Sequence, residues 1–375
     1  MDSITHLFYG AAIVAAIAPA RHRRAALLAG AVLNTLPDLD VFPLSLCDDP
    51  IVRMTWHRSA THSWLVLPLV AWAIWAGFNS EFFRRRGGRV AAAPARWWWA
   101  IFACLMAHPL IDAFTVYGTQ LFWPLPMRPI MWSSLFIIDP LFTLPWLVAC
   151  VVAWRARERL LAQRALVVGI ALGVGYVGWS LGAKTMVDRA AAPALAAIGL
   201  ADAPRFSVPA PLTTARWRVV AMTPEGYVEG ERRIGDADAA MAFRFHPSDT
   251  AALRAVADIP AVRRLAWFNH GFQKAENDGG TLVLSDLRMG REPDYAFAYA
   301  VARRDGAEWR AIAPYDVTRL QTRKALAALW RRLIHRDTAG KAQDLGGADH
   351  GNTNAKADQA AAANSGDTPA SSASK

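Results

Sequence analysis

Cysteine is scarce in this chain, and the few positions it takes argue against the common thiolate sites. The three cysteines are Cys47, Cys104 and Cys150, and no C-x-x-C spacing occurs among the 375 residues. None follows residue 150, so the C-terminal half has no disulfide framework. A structural zinc site built on cysteine pairs is disfavoured for the same reason.

Several catalytic and targeting signatures are also missing. There is no phosphate-binding loop of the G-x-x-x-x-G-K-[ST] type and no internal repeat. The first six residues, MDSITH, contain no Lys or Arg, and the basic cluster RHRR at 21–24 follows the first apolar stretch. This order is the reverse of a secretory signal, so we expect Met1 outside and residues 21–24 inside.

Apolar residues are abundant and are concentrated in the first half of the chain. Hydrophobic types make up 54% of the sequence, and there are 16 tryptophans, which suit membrane interfaces. Four stretches are typical of membrane helices: 64–78, 97–116, 135–154 and 165–183. Two others, 4–18 and 25–36, are short enough to be helices packed inside a bundle. The pattern predicts a mainly α membrane protein with a multi-helix transmembrane bundle over 1–186.

The basic residues follow a topology pattern, so the net charge of +10 does not by itself indicate nucleic-acid binding, and we expect no such partner. Loops 21–24, 84–96 and 155–164 contain twelve arginines, whereas loops 37–63 and 118–134 contain three. Cytoplasmic loops are enriched in Lys and Arg. The first set is therefore predicted to be inside and the second outside.

Ionisable residues near the apolar stretches gather at the outer face of this topology. They are His6, Asp38, Asp40, His57, His62, His108, Asp112 and Asp139. Ionisable groups at membrane depth are costly and usually mark function. His108 and Asp112 are four residues apart and share a helix face, and imidazole with carboxylate suits zinc, manganese or iron. The pattern predicts a divalent-metal site, although Asp139 before Pro140 is also a typical helix N-cap.

In their order along the chain, these motifs resemble the YdjM-type membrane-bound metal-dependent hydrolases of bacteria. The similarity covers roughly residues 1 to 155. The matching segments are TH at 5–6, LPDLD at 36–40, HRSATHS at 57–63, HPLIDAFTVYGTQ at 108–120 and WSSLFIIDP at 132–140. The family is distantly similar to zinc phospholipase C, a helical enzyme in which His and Asp residues bind a metal cluster and hydrolyse phosphoesters.

The resemblance implies a set of metal ligands, with zinc as the expected ion: His6, Asp40, His57, His108 and Asp112. It leaves open which of Asp38 and Asp40, and which of His57 and His62, binds directly. Asp38, Arg58, His62 and Asp139 are the candidate catalytic residues. A carboxylate such as Asp38 or Asp139 would orient a ligand or accept a proton, and Arg58 would hold an anionic group.

The expected function is that of a bacterial inner-membrane hydrolase that uses a metal-activated water on an ester or phosphoester. Because the site opens at the outer headgroup level, a membrane lipid or lipid-linked molecule is the favoured substrate. The alternative is a non-catalytic scaffold or lipid-binding protein with a structural metal. A transporter is disfavoured because the inner halves of the helices are apolar.

The C-terminal half changes character after the last apolar stretch. We predict a connector at 187–204, a soluble β-rich (α+β) domain at 205–336 on the periplasmic side, and a disordered tail at 337–375, whose composition cannot bury a core. RWRVVAM and GYVEGERRI flank TPEG and predict one strand pair, and TLVLSDLRMG with DYAFAYAVAR predicts another. KALAALWRRLIH at 324–335 predicts a basic amphipathic helix.

Overall fold

The computed structural model describes residues 1–236 and 241–318, and it divides them into a helical first half and a second half that carries β-sheets. The α-helices are α1 (Ser3–Ile17), α2 (Arg23–Thr35), α3 (Val41–Leu44), α4 (Pro50–Trp56), α5 (Leu67–Phe78), α6 (Glu81–Arg85), α7 (Pro94–Ala113), α8 (Pro140–Ala156), α9 (Leu160–Ala197), α10 (Thr250–Ala255) and α11 (Pro260–Phe268). This arrangement confirms the predicted fold class. The predicted helix at 324–335 and the predicted tail at 337–375 lie outside the described residues.

Two helical stretches of the described residues meet the requirements for a membrane span. Ala20–Leu44 and Leu160–Ala197 are long and apolar enough to cross a membrane, and a third span results if Pro50–His62 and Leu67–Phe78, bent by 56°, form one broken span. α1 and α8 are shorter apolar helices. The chain is therefore a membrane protein, and the larger number of crossings expected from the sequence stays a prediction.

Helices α1 and α2 approach each other closely because both have glycine at the crossing. A Cβ placed on Gly30 would lie 2.3 Å from the carbonyl oxygen of Gly10, and one placed on Gly10 would lie 2.2 Å from Cβ of Asn34. Small residues allow this backbone proximity in membrane bundles. The contact brings the first turns of α1 against the last turn of α2.

Helix α9 joins the two halves of the structure. It has 38 residues and continues through the alanine-rich segment that the sequence indicated as a connector, which fits the strong helix preference of alanine. Its last turns bury Val187, Ala191 and Leu195 against Trp217 and Val219 of the C-terminal half. The predicted connector is thus largely a helix that carries core residues.

The described part of the C-terminal half contains two four-stranded antiparallel sheets, in the orders β1-β2-β3-β4 and β10-β9-β6-β5, and one two-stranded pair. The strands are β1 (Arg205–Pro209), β2 (Arg216–Thr223), β3 (Gly226–Arg233), β4 (Phe243–Pro247), β5 (Gln273–Asp278), β6 (Thr281–Asp286), β7 (Gly290–Arg291), β8 (Asp294–Tyr295), β9 (Ala298–Asp305) and β10 (Glu308–Asp316). Strand β2 pairs with β3 across the predicted TPEG turn, and β6 pairs with β9. Both predicted strand pairs are confirmed.

The two halves share a hydrophobic core. One cluster of buried side chains combines Met54 of α4 and Tyr117, which follows α7, with Phe268, Leu284 and Tyr299 of the C-terminal half. The sheets therefore pack directly on the segments that leave the helical bundle near the predicted ionisable residues.

Candidate metal centre

Four ionisable side chains converge near the C-terminal ends of α2 and α7. They are Asp38, His62, His108 and Asp112, and each offers one ligand atom within 4.8 Å of the others. His62 Nε2 lies 3.0 Å from His108 Nε2 and 3.3 Å from both Asp38 Oδ1 and Asp112 Oδ2. His108 Nε2 lies 3.4 Å from Asp112 Oδ2. We call these four residues the His/Asp quartet.

Local sequence explains how each member is placed. His108 and Asp112 are one turn apart near the end of α7, so their side chains point the same way. Pro37 starts a short 3-10 turn, Pro37–Asp40, which turns Asp38 back toward the bundle. His62 ends a second such turn, Ala60–His62. The quartet thus depends on two tight turns that meet one helix end.

The donor set of the quartet fits a divalent cation. Oδ2 of Asp112 and Nδ1 of His108 are buried and have no hydrogen-bond partner among the described residues. A buried carboxylate oxygen without a partner is costly, and this oxygen faces the ring nitrogens of both histidines. Two carboxylate oxygens and two imidazole nitrogens suit zinc, manganese or iron.

Access to the quartet is on the side of Asp38. The Asp38 side chain is 23% exposed, whereas those of His62, His108 and Asp112 are fully buried. Exposed apolar side chains follow Asp38 along the chain: Leu39, Phe42 and Leu46 are 48%, 68% and 84% exposed. The accessible member of the quartet is therefore followed in the chain by a segment with exposed apolar side chains.

Arg58 is buried against Asp112, on the carboxylate oxygen that does not face His62 and His108. Its guanidinium lies 3.1 Å from Asp112 Oδ1 and donates to Thr115 Oγ1 at 3.1 Å, while its Nε has no partner among the described residues. The amino group of Met1 contacts the same oxygen of Asp112. The backbone of Arg58 has φ +63°, a conformation that costs a non-glycine residue about 1–2 kcal/mol. Such strain persists only where the surroundings hold it.

His57 and Asp40 form a pair beside the quartet. His57 Nδ1 lies 2.7 Å from Asp40 Oδ1, and the other oxygen of Asp40 accepts from Thr61 Oγ1 at 2.8 Å. Thr61 Oγ1 in turn lies 3.0 Å from Nδ1 of His62. The His57 side chain is 20% exposed. Both residues were grouped with the ligands on family resemblance, and the structure places them next to the four convergent side chains.

His6 supports Asp112 from inside the bundle. The amide of Asn34 donates to the carbonyl of Cys104 at 2.8 Å, which leaves Asn34 Oδ1 to accept from Nδ1 of His6 at 3.0 Å. Nε2 of His6 then faces Asp112 Oδ1 at 3.3 Å, and its ring stacks on that of His108 with centroids 4.0 Å apart. Asn34 therefore fixes the orientation of a residue that contacts two members of the quartet.

Asn34→Leu is expected to lower the free energy of unfolding by about 1–3 kcal/mol, because it leaves Nδ1 of His6 buried without a partner and removes a second hydrogen bond to the carbonyl of Cys104. Detergent unfolding of the purified protein measures this. The neighbouring Thr35→Leu is the matched control, since the Thr35 hydroxyl bonds carbonyls of its own helix, and its effect should stay within about 0.5 kcal/mol. Equal losses in the two variants would remove Asn34 from this role.

Asp139 makes a different set of contacts. Its Oδ1 accepts from the backbone N–H groups of Leu141 and Phe142, which makes it the N-cap of α8, and its Oδ2 accepts from Tyr176 at 2.8 Å. The sequence left open whether Asp139 is a helix N-cap or a residue of the metal site, and this geometry corresponds to the N-cap. The catalytic role considered for Asp139 has no contact with the quartet to support it.

Most of the residues singled out from the sequence lie in one region of the structure, but their contacts divide them into groups that the sequence pattern did not distinguish. Asp38, His62, His108 and Asp112 form the convergent group; His6 and Arg58 contact Asp112; His57 and Asp40 pair beside it. Asn34, Thr115 and Tyr117 were not identified beforehand. Asn34 stands directly before the TLPDLD segment, and an amide in the last turn of an apolar helix was the available signal.

Comparison with known proteins agrees with the resemblance seen in the motifs. Residues 1–182 match the model of a family described as YdjM inner membrane protein. The match includes α1 to α8, more than half of α9 and every residue of the quartet. A search of curated proteins and a search of solved structures found no match.

Proposed function

Because residues 1–182 match the YdjM inner membrane protein family, we propose that this membrane protein is a metal-dependent hydrolase whose cation is held by the His/Asp quartet. The observation that carries the proposal is the convergence of Asp38, His62, His108 and Asp112 within 4.8 Å, with one side accessible. Zinc is the ion we propose, on the basis of the nitrogen and oxygen donors.

The surrounding residues supply the other parts of a hydrolytic site. A bound divalent cation supplies a Lewis acid and a water of lowered pKa. His57, oriented by Asp40, accepts and returns a proton at its ring nitrogen Nε2. Arg58 holds Asp112 and directs its unpartnered Nε–H toward an anionic oxygen of the substrate.

We propose a lipid or lipid-linked ester or phosphoester as the substrate. Exposed Leu39, Phe42 and Leu46 beside the accessible carboxylate of Asp38 support this, because they offer an apolar surface to an acyl chain. The arginine distribution supports an inner-membrane orientation with the quartet and the C-terminal half on the periplasmic face. That orientation is tested by introducing a cysteine at position 46 or at position 87 and labelling it from outside intact spheroplasts.

His57→Asn is expected to slow hydrolysis by about 10²- to 10⁴-fold, the usual contribution of a general base, while leaving bound zinc unchanged. The measurement is turnover of short-chain phospholipids and of aryl ester and aryl phosphoester substrates by the zinc-loaded protein in detergent. His246→Asn, in strand β4, is the matched control and should keep wild-type turnover. Zinc binding by the wild type without turnover of any of these substrates would favour a non-catalytic scaffold.

A further inference from the structure

A buried arginine of the C-terminal half reaches the segment that follows α7. Arg288 and Asp286 are fully buried, and the guanidinium lies 2.7 Å from Asp286 Oδ2 through one nitrogen and 3.0 Å from Oδ1 through Nε. The remaining terminal nitrogen donates to the carbonyl of Tyr117 at 2.8 Å and to that of Phe268 at 3.1 Å. One ion pair of the C-terminal half is thus hydrogen-bonded to the chain five residues after Asp112.

Glycine at position 118 makes this approach possible. Gly118 has φ +101°, and a Cβ there would lie 3.4 Å from the donating nitrogen of Arg288 and 3.1 Å from Pro129. A side chain would therefore crowd Pro129, touch the arginine and strain the backbone. The turn is shaped to receive Arg288.

The side chain of Tyr117 continues the connection to the quartet. Its hydroxyl donates to the carbonyl of Met54 at 2.8 Å, and its ring packs edge-on against His57, with centroids 5.6 Å apart. The guanidinium of Arg58 lies over the same ring, 4.9 Å from its centroid. Tyr117 therefore contacts α4, the proposed general base and the arginine that holds Asp112.

We propose that Arg288 is a positioning residue for the His/Asp quartet and acts through Tyr117 on Arg58. The guanidinium of Arg58 holds Asp112 and packs on the ring of Tyr117. Tyr117 is itself fixed at its carbonyl by Arg288 and at its hydroxyl by Met54, so it gives the Arg58 side chain a fixed surface. The C-terminal half is then a part of the centre as well as a neighbouring fold. The effect on metal binding rests on the proposed function, whereas the effect on the Arg58 segment does not.

Two variants interrupt the connection at different points. Asp286→Asn combined with Arg288→Met removes the ion pair without leaving a buried charge, and asparagine keeps the acceptor used by the backbone N–H of residue 288. Tyr117→Leu keeps the carbonyl that Arg288 binds but removes the ring and the hydroxyl. Lys274→Met combined with Glu292→Gln is the matched control, because it removes another ion pair of the C-terminal half, one whose further contacts are with Glu276 and Tyr227.

The first measurement is hydrogen exchange, followed by mass spectrometry, of peptides covering residues 54–63 in the full-length protein without added metal. Both test variants should exchange about tenfold faster there, as expected from one lost buried hydrogen bond, and the control should match the wild type. Unchanged exchange at 54–63 in both test variants would overturn the proposal. If the variant that combines Asp286→Asn with Arg288→Met exchanges faster throughout the chain, the exchange of Tyr117→Leu at 54–63 decides whether the proposal holds.

The second measurement is binding of Co²⁺, whose visible spectrum reports coordination geometry. Both test variants should bind it about 10- to 100-fold more weakly, the usual effect of losing a residue that orients a ligand, and with an altered spectrum. Wild-type affinity and spectrum in both would overturn the positioning role even if exchange had increased. Absence of Co²⁺ binding by the wild type would instead refute the proposed function, and the exchange result alone would then decide whether Arg288 holds the Arg58 segment.

Discussion

His108→Gln is expected to weaken zinc binding by more than about 100-fold, because it removes a direct ligand. The loss of a residue that only orients a ligand costs about 10- to 100-fold. His108 is the better position than Asp112 for this test. Asp112 is ion-paired with buried Arg58, and replacing it would leave an uncompensated charge whose cost, about 3–5 kcal/mol, would confuse binding with folding. Titration of the metal-free protein in detergent gives the affinity.

One histidine variant and one carboxylate variant serve as controls for the loss of zinc binding. His22→Gln changes the same residue type at the opposite end of α2, where His22 accepts from the indole of Trp97. Asp139→Asn changes a carboxylate that caps α8 and does not contact the quartet. Both should retain wild-type affinity. If His108→Gln binds zinc as well as these controls do, the quartet is not the metal site.

Gly30→Ala is expected to lower the free energy of unfolding by about 3 kcal/mol or more. A methyl group on Gly30 would lie 2.3 Å from the Gly10 carbonyl oxygen and 2.8 Å from the Ala11 Cα, and both atoms belong to the backbone of α1, which cannot turn aside as a side chain can. Helices α1 and α2 would have to separate. Because this contact holds His6 near Asn34, the loss would extend to the centre.

The control variant also changes a glycine to alanine, at a position where the added methyl group meets no neighbouring atoms. A Cβ on Gly178 of α9 has no atom within 4 Å, so Gly178→Ala should raise the unfolding free energy by up to about 1 kcal/mol through helix propensity alone. Detergent unfolding and the yield of folded protein from membranes measure both. Stabilisation by both substitutions would contradict the close packing of α1 and α2.

The positions of the ionisable residues along the chain predicted much of the centre. Each of the residues that come together lies at a helix end, or in a loop, on the predicted outer side of the membrane. The arginine counts predicted which side that is. These residues are His6, Asp38, His62, His108 and Asp112. The spacing of His108 and Asp112 alone predicts that they share a helix face.

The roles within the centre could not be read from the same pattern. Whether His57 or His62 enters the quartet depends on the turn between them, and that turn depends on the left-handed backbone of Arg58. Neither its φ value nor the contacts that support it are encoded locally: Tyr117 and Arg288 lie 59 and 230 residues away. Asp139 precedes a proline that starts a helix, and in this case the capping role explains its contacts.

The fold was predictable where periodicity was strong. The strand pairs around TPEG and in TLVLSDLRMG have alternating apolar residues, and both are present as β2–β3 and within β6–β9. Strands β1, β4, β5 and β10 were not predicted, because pairing with neighbours stabilises them more than their own pattern does. The length of α9 was underestimated, because the last apolar stretch was ended at residue 183, whereas α9 continues to Ala197 and packs Val187, Ala191 and Leu195 on Trp217.

Locating the metal by anomalous scattering in crystals of the zinc-loaded protein tests the central claim most directly. The account predicts a zinc peak enclosed by Asp38, His62, His108 and Asp112, with the open side of its coordination toward the exposed surface at Asp38. A zinc-loaded crystal with no peak among these four side chains, or with zinc bound elsewhere on the chain, would contradict it.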